Sequence, residues 1–274
     1  MAVSMADIQH LRKMSGAGMM DCKKALEEAG GDHDKAMEII RKKGQAIAAK
    51  REDRDAAEGC VLAASAGDFS AIVALKCETD FVAQNADFVA LTKSILDLAM
   101  EAKPASIEEL NALSLNGTTV KEAITERSGV TGEKMEIGFY EFVTAPTTVA
   151  YIHPGNKLAT IVALNLADVD TQVGRDVAMQ VAAMGPVATS RDEVPAEIVA
   201  QEFNVAKEKA REEGKPEAML DKIAEGRINK FYKESVLLEQ DFVKDPKQSI
   251  KSYLQAANKE LTVTAFKRVT LNAE

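Results

Sequence analysis

The run SGAGMMDCKKAL, residues 15–26, sets two glycines, two adjacent methionines, a cysteine and two lysines side by side. Three chemistries use such a set: a phosphate cradle, a thiolate nucleophile, or a soft surface that grips another molecule. A P-loop needs lysine directly after its last glycine, then Ser or Thr, on a turn from strand to helix. Here Met19-Met20-Asp21 follows Gly18, a helical pattern precedes it, and Asp21 would repel a phosphate. The dinucleotide fingerprint fails as well, because its third glycine is missing. Cys22 as a nucleophile needs a base within reach, and His10, His33 and His153 are the only histidines. It shares a helical stripe with Met19, Ala25, Leu26 and Ala29, which favours a buried small apolar residue over a reactive thiol.

The other candidates are no stronger. Cys60 and Cys77 fall in apolar strand patterns, and no CxxC, HxH or HxxxH occurs, so neither a metal nor a cofactor is expected. Asp168 and Asp170 read as caps for the helix that follows them. No catalytic constellation remains, which directs attention to groups that a core does not need. Met19 and Met20 point about 100° apart on a helix, so only one can centre on the core. The pair is either staggered core packing or, beside Arg12 and Lys23, an adaptable contact edge. In CETDFVAQN, residues 77–85, Thr79 can cap a helix and Asp80 suits its first turn. Phe81 then either staples that helix to the strand before it or projects as a wedge, with Asp80 beside it to meet a partner.

Composition narrows the partner. The formal net charge is -9, whereas phosphate-backbone binding needs a concentrated basic face. Without Trp and with 5% aromatics, base-stacking platforms are unsupported. No apolar run approaches the roughly 20 residues of a membrane span, and MAVSMADIQH lacks the basic and apolar regions of a secretory signal. Three widely spaced cysteines fit a reducing compartment. The expectation is an acidic cytoplasmic protein that meets a protein or a small molecule, with no direct nucleic acid and no membrane.

The elements that must position these groups follow from periodicity. Residues 1–44 read as three short helices with glycine turns, Asp32 capping the third. Residues 45–58 are alanine-rich with mixed charge, a solvated helix or linker. Two apolar runs flank Gly67-Asp68 as a hairpin, and a helix follows with Phe88, Leu91, Ile95, Leu96 and Leu98 on its apolar positions. Residues 103–121 look helix-like, and EKMEIGFYEFV alternates as a strand with Met135, Ile137 and Phe139 on one face. TVAYIHPGNKLATIVALNL and DVAMQVAAM then repeat strand, turn, strand, helix. AIVAL at 71–75 is echoed by TIVAL at 160–164, which suggests a duplicated unit. Residues 196–233 read as an antiparallel helical hairpin, Gly214 ending one helix and Pro216 opening the next. Ile198, Val199, Phe203 and Ala206 are expected to face Met219, Ile223, Ile228 and Phe231 across its seam. The tail adds a helix in PKQSIKSYLQAAN and a strand in LTVTAFKRV able to close the second sheet. The fold class is α+β.

Taken together, GAGMMDCKKALEEAGGD and CETDFVAQN, with YIHPGNKLATIVAL, EGRINKFYKES and LLEQDFVKD, closely resemble the signature segments of bacterial-type elongation factor Ts. The resemblance runs in order through essentially the whole chain. It implies an N-terminal three-helix domain similar to ubiquitin-associated modules (1–44), a linker (45–58) and two related β-β-α-type subdomains (59–143 and 144–274). A coiled-coil hairpin (195–233) would be inserted in the second. It implies guanine nucleotide exchange on elongation factor Tu, with no bond-making chemistry; a passive binding or holding module is the alternative. Arg12, Met19, Met20 and Lys23 would dock on the GTPase domain. Asp80 and Phe81, within the segment Thr79 to Val82, would approach the helices beside its Mg²⁺ site, and His153 would make a further contact. The hairpin leaves two oligomers open, a homodimer or a dimer of heterodimers. Two departures stand out. QVAAMGP at 180–186 replaces a more polar, often histidine-bearing segment, which puts that helix's contact in doubt, and Asp241 stands where proline is common.

Overall fold

The computed structural model describes residues 3–272 and is of mixed helix and strand. By chain contacts it divides into two compact units, Met1–Leu62 with Val73–Tyr140 and Leu271–Glu274, and Ala63–Ile72 with Glu141–Thr270. Three helices lead: α1 (Met5–Ser15), α2 (Met19–Glu28) and α3 (His33–Ala49). Ser4 and Asp7 form a capping box on α1, and Gly16, at φ 69°, ends it in the left-handed region that glycine occupies without penalty. Asp32 caps α3 through the backbone N–H groups of Asp34 and Lys35. Ile8, Leu11, Ala17, Cys22, Ala25, Leu26 and Ala36 form one small buried core. Burial of Cys22 bears out its reading as a packing residue. The third helix runs on through Gly44 and takes in much of the alanine-rich stretch.

Next come β1 (Glu58–Ala66) and β2 (Phe69–Cys77), joined at Gly67-Asp68 as the sequence suggests. They lead to the four-residue α4 (Asp80–Ala83) and to α5 (Ala86–Ala102), whose Phe88, Ile95 and Leu96 are buried. The stretch read as weakly helical is divided instead into α6 (Ile107–Ala112) and a miniature hairpin, β3 (Ser114–Leu115) and β4 (Thr118–Thr119). Asn116 and Gly117 both have positive φ, 53° and 88°, the conformation that a tight Asn-Gly hairpin turn demands. Then α7 (Val120–Thr131) starts from a capping box of Thr119 and Glu122. β5 (Glu136–Thr144) joins a sheet of order β1-β2-β5. Its inward face passes from Met135 and Ile137 to Tyr140 and Val143, which leaves Phe139 exposed, against the expected alternation. Within the first unit α3 packs along α7, with Gly44 against Gly129.

The second unit continues with β6 (Thr147–Ile152), β7 (Leu158–Leu164) and α8 (Thr171–Met184), which Asp170 caps. A hairpin of α9 (Ala196–Glu212) and α10 (Leu220–Ser235) follows. Its charged pairs Lys207–Asp221 (2.6 Å) and Arg211–Glu217 (2.6 Å) run in antiparallel register. The buried seam is Ala206, Ala210, Leu220 and Ala224, whereas Ile198 and Met219, expected inside, are exposed. Three alanines and Leu220 fill the centre of the seam, and Phe203, Ile223, Ile228 and Phe231 stay half-buried beside it. A short strand pair, β8 (Asp241–Phe242) and β9 (Asp245–Ser249), precedes α11 (Ile250–Ala257), so the proline of PKQSIKSYLQAAN lies in a strand rather than in the helix. Finally β10 (Val263–Thr270) pairs antiparallel with β7, giving the order β10-β7-β6. The tail strand thus closes the second sheet, and the AIVAL and TIVAL runs lie on the two central strands, β2 and β7.

Candidate functional site

The exposed groups singled out above sit on three supports. On the three-helix bundle, the apolar stripe of α2 turns Cys22, Ala25 and Leu26 inward. Both methionines are left outside it: Met19 is 41% and Met20 62% exposed. This overturns the staggered core pair. Arg12 in the last turn of α1 and Lys23 on α2 are exposed too, Lys23 lying 3.8 Å from Glu27. Exposed thioethers beside cations make a deformable, polarisable surface.

The second support is α4. Thr79 caps it, its hydroxyl accepting from the Val82 N–H at 3.4 Å. Ala83 is buried and Val82 half-buried, so the helix rests on that edge. Asp80 is exposed, and Phe81 is 85% exposed, more than any other large apolar side chain among the described residues. A stapling ring would be covered, so the staple reading is overturned. A bare phenyl ring at a helix start leaves roughly 2 kcal/mol of hydrophobic free energy unrealised in the free protein.

A four-residue helix does not hold itself, and α4 is tied at both ends. Before it, the Glu133 carboxylate accepts from the backbone N–H groups of Glu78 (3.2 Å) and Thr79 (3.1 Å) and from the Thr79 hydroxyl (2.6 Å). In return the Glu78 carboxylate accepts from the Lys134 N–H at 2.7 Å and from Arg51 at 3.1 Å. After it, Asn85 caps α5 while its side-chain oxygen also accepts from Arg127 at 2.8 Å; Arg127 pairs with Asp87 at 3.1 Å. Glu133 and Arg127 come from α7 and the turn just after it, about 50 residues downstream in sequence. Sequence reading missed them, and no local pattern marks them. Beneath the clasp the Cys77 thiol donates to the Thr79 carbonyl at 3.3 Å. Burial, with the Glu133 and Glu58 carboxylates adding, pushes that thiol up to about 12. Burial likewise raises Cys60 to about 11. Neither is a nucleophile at neutral pH.

The third support belongs to the second unit. His153 is exposed in the turn from β6 to β7, its ring nitrogen Nδ1 3.1 Å from the Tyr151 hydroxyl. Gly155 and Asn156 give the turn its positive φ values of 92° and 55°. Farther along this unit, Gln180 is fully buried. Its amide donates to Gln240 (3.2 Å) and to the Asp241 carbonyl (3.1 Å), and its oxygen accepts from the Val243 N–H (2.9 Å). At this departure, then, the glutamine serves the interior.

Thr79, Asp80, Phe81 and Val82 thus form one presented element, and Arg12, Met19, Met20 and Lys23 share one bundle. No helix among the described residues is long and apolar enough to cross a membrane. Comparison with known proteins agrees with the motif reading. A family model described as Elongation factor TS matches residues 78–273. Elongation factor Ts of Porphyromonas gingivalis is 60% identical over 275 residues, covering 100% of both chains. Those of Azobacteroides pseudotrichonymphae and Amoebophilus asiaticus are 58% and 50% identical, again over the full length of each chain. With a family match over most of its length and relatives this close end to end, the chain belongs to the elongation factor Ts family of translation.

Proposed function

We propose that this protein is a guanine nucleotide exchange factor that binds elongation factor Tu in its GDP-bound form and promotes GDP release. The observation that carries the proposal is Phe81, 85% exposed on a short helix clasped at both ends. Exposing such a ring costs the free protein solvation free energy, recovered only against a partner. In this reading Met19, Met20, Arg12 and Lys23 dock on the GTPase domain, and His153 adds a contact from the second unit. Phe81, with Asp80 beside it, enters between the helices flanking the partner's Mg²⁺ site and disturbs the phosphate loop. The N-terminal helices act as the ubiquitin-associated-like docking module, residues 1–44. The strand-strand-helix units of 59–143 and 144–274 act as related subdomains, with the hairpin of 195–233 as an insertion and a surface for self-association. The protein acts in the cytoplasm.

The physics is linkage. A factor that binds nucleotide-free partner more tightly than GDP-bound partner weakens GDP binding by the same coupling free energy. No covalent bond changes. The test is release of fluorescent GDP from elongation factor Tu with and without the protein. Acceleration at micromolar concentration supports exchange, and stable complex formation without acceleration would replace it with a passive holding role.

A further inference from the structure

We propose that Glu133 is the positioning residue for Phe81: its carboxylate fixes the direction in which the ring leaves the protein. The inference rests on the exchange reading above and names a residue that acts through Phe81 rather than on the partner. Phe81 has almost no packing of its own to orient it, and α4 has too few residues to persist alone. Its direction is therefore set by the backbone at 78–79. Both N–H groups there point into one oxygen of Glu133, and the Thr79 hydroxyl gives its proton to the other.

The Thr79 hydroxyl does two jobs that cooperate. It has one proton and two lone pairs. Donating the proton to a carboxylate makes its oxygen a better acceptor for the Val82 N–H, so the cap on α4 strengthens. The crossed bonds from Lys134 to Glu78 close the clasp. Glu133 itself is mounted beside the docking bundle. It follows Gly132, the left-handed cap of α7 at φ 75°, and α7 is pinned to α3 by Arg41–Glu126 at 2.7 Å. One helix thus carries the support of the wedge and packs on α3, which in turn packs on α2, the helix of Met19 and Met20.

The experiment uses the full chain, elongation factor Tu loaded with fluorescent GDP, and the variants Glu133→Ala, Glu133→Gln, Phe81→Ala and Glu133→Ala/Phe81→Ala. Glu133→Ala is expected to lower the maximal release rate about tenfold, with the half-saturating concentration changed less than twofold. Gln should restore part of the rate, since its carbonyl accepts both N–H groups, while its amide donates to the Thr79 hydroxyl instead of taking its proton. Adding Glu133→Ala to Phe81→Ala should change the rate less than twofold, because the ring it positions is gone. Full activity in a folded Glu133→Ala variant, or an undiminished extra loss in the double variant, overturns the proposal. Hydrogen exchange on the unmodified protein is independent of activity and of any variant's folding. The Glu78 and Thr79 amides should be protected, and finding them unprotected also overturns it. If the unmodified protein fails to release GDP, the exchange reading falls, while the hydrogen-exchange result still decides whether Glu133 holds α4.

Discussion

Replacing Phe81 with alanine separates stability from function more sharply than any other single change. The ring is 85% exposed, so its removal deletes almost no buried surface, and stability should move by less than about 0.5 kcal/mol. Burying that ring against a partner would contribute about 2 kcal/mol. If all of this is expressed as coupling to GDP, the maximal release rate falls ~30-fold. The assay is stopped-flow release of fluorescent GDP from elongation factor Tu across a range of factor concentrations, beside a thermal melt of each variant. Phe88→Ala, seven residues along, is the contrasting control. Phe88 is fully buried in α5, so its loss should cost about 3–5 kcal/mol of stability. An unchanged release rate for Phe81→Ala would refute the wedge, and a large drop in melting temperature would refute the exposure on which it depends.

Met19→Ala and Met20→Ala should raise the half-saturating concentration several-fold with little change in melting temperature, read by the same titration. Gly129→Ala places a Cβ against the Gly44 backbone, so α3 and α7 must part; a thermal melt should show destabilisation of about 1–3 kcal/mol. Asp176 is buried on α8; burial would raise its carboxyl, but bonds from Lys244 (2.7 Å), Tyr253 (2.8 Å) and Gln172 (2.6 Å) outweigh this and hold it below its usual value. A lowered folded-state value gives stability that is complete above the unfolded value and lost as pH falls through the folded one. The deficit of Asp176→Asn in denaturant melts should therefore be constant near neutral pH and shrink below about pH 4. The raised thiols of Cys60 and Cys77 should resist iodoacetamide at pH 8 until the protein unfolds, followed by mass spectrometry.

Much of the secondary structure was legible because it is written locally. Asp32, Thr79 and Asp170 cap helices where the sequence places them, since a cap needs only a side chain and the next two or three N–H groups. Gly67-Asp68 turns a hairpin for the same reason. The Asn116-Gly117 turn and the Thr119–Glu122 capping box are equally local signals, masked by the weak hydrophobic pattern around them. Phe139 and the seam of the α9–α10 hairpin depart from simple periodicity for a different reason. Periodicity says which residues share a face, not how closely the neighbouring element approaches. Ala206, Ala210, Leu220 and Ala224 occupy the buried centre, and Ile198 and Met219 are left exposed.

For the candidate site the division is similar. Sequence alone identified the family signatures, the capped segment at 79–82 and a methionine pair of which only one can centre on the core, because these rest on residue type and short spacing. It left Phe81 between staple and wedge, and Met19 and Met20 between core and surface, since exposure depends on what the rest of the chain brings near. The tertiary structure excluded the staple and the core pair, leaving the ring and the two thioethers outside. It also supplied Glu133 and Arg127, which reach α4 across about 50 residues. Their contribution comes from hydrogen bonds made only once α7 has packed, and no stretch of sequence contains such a bond before the chain folds.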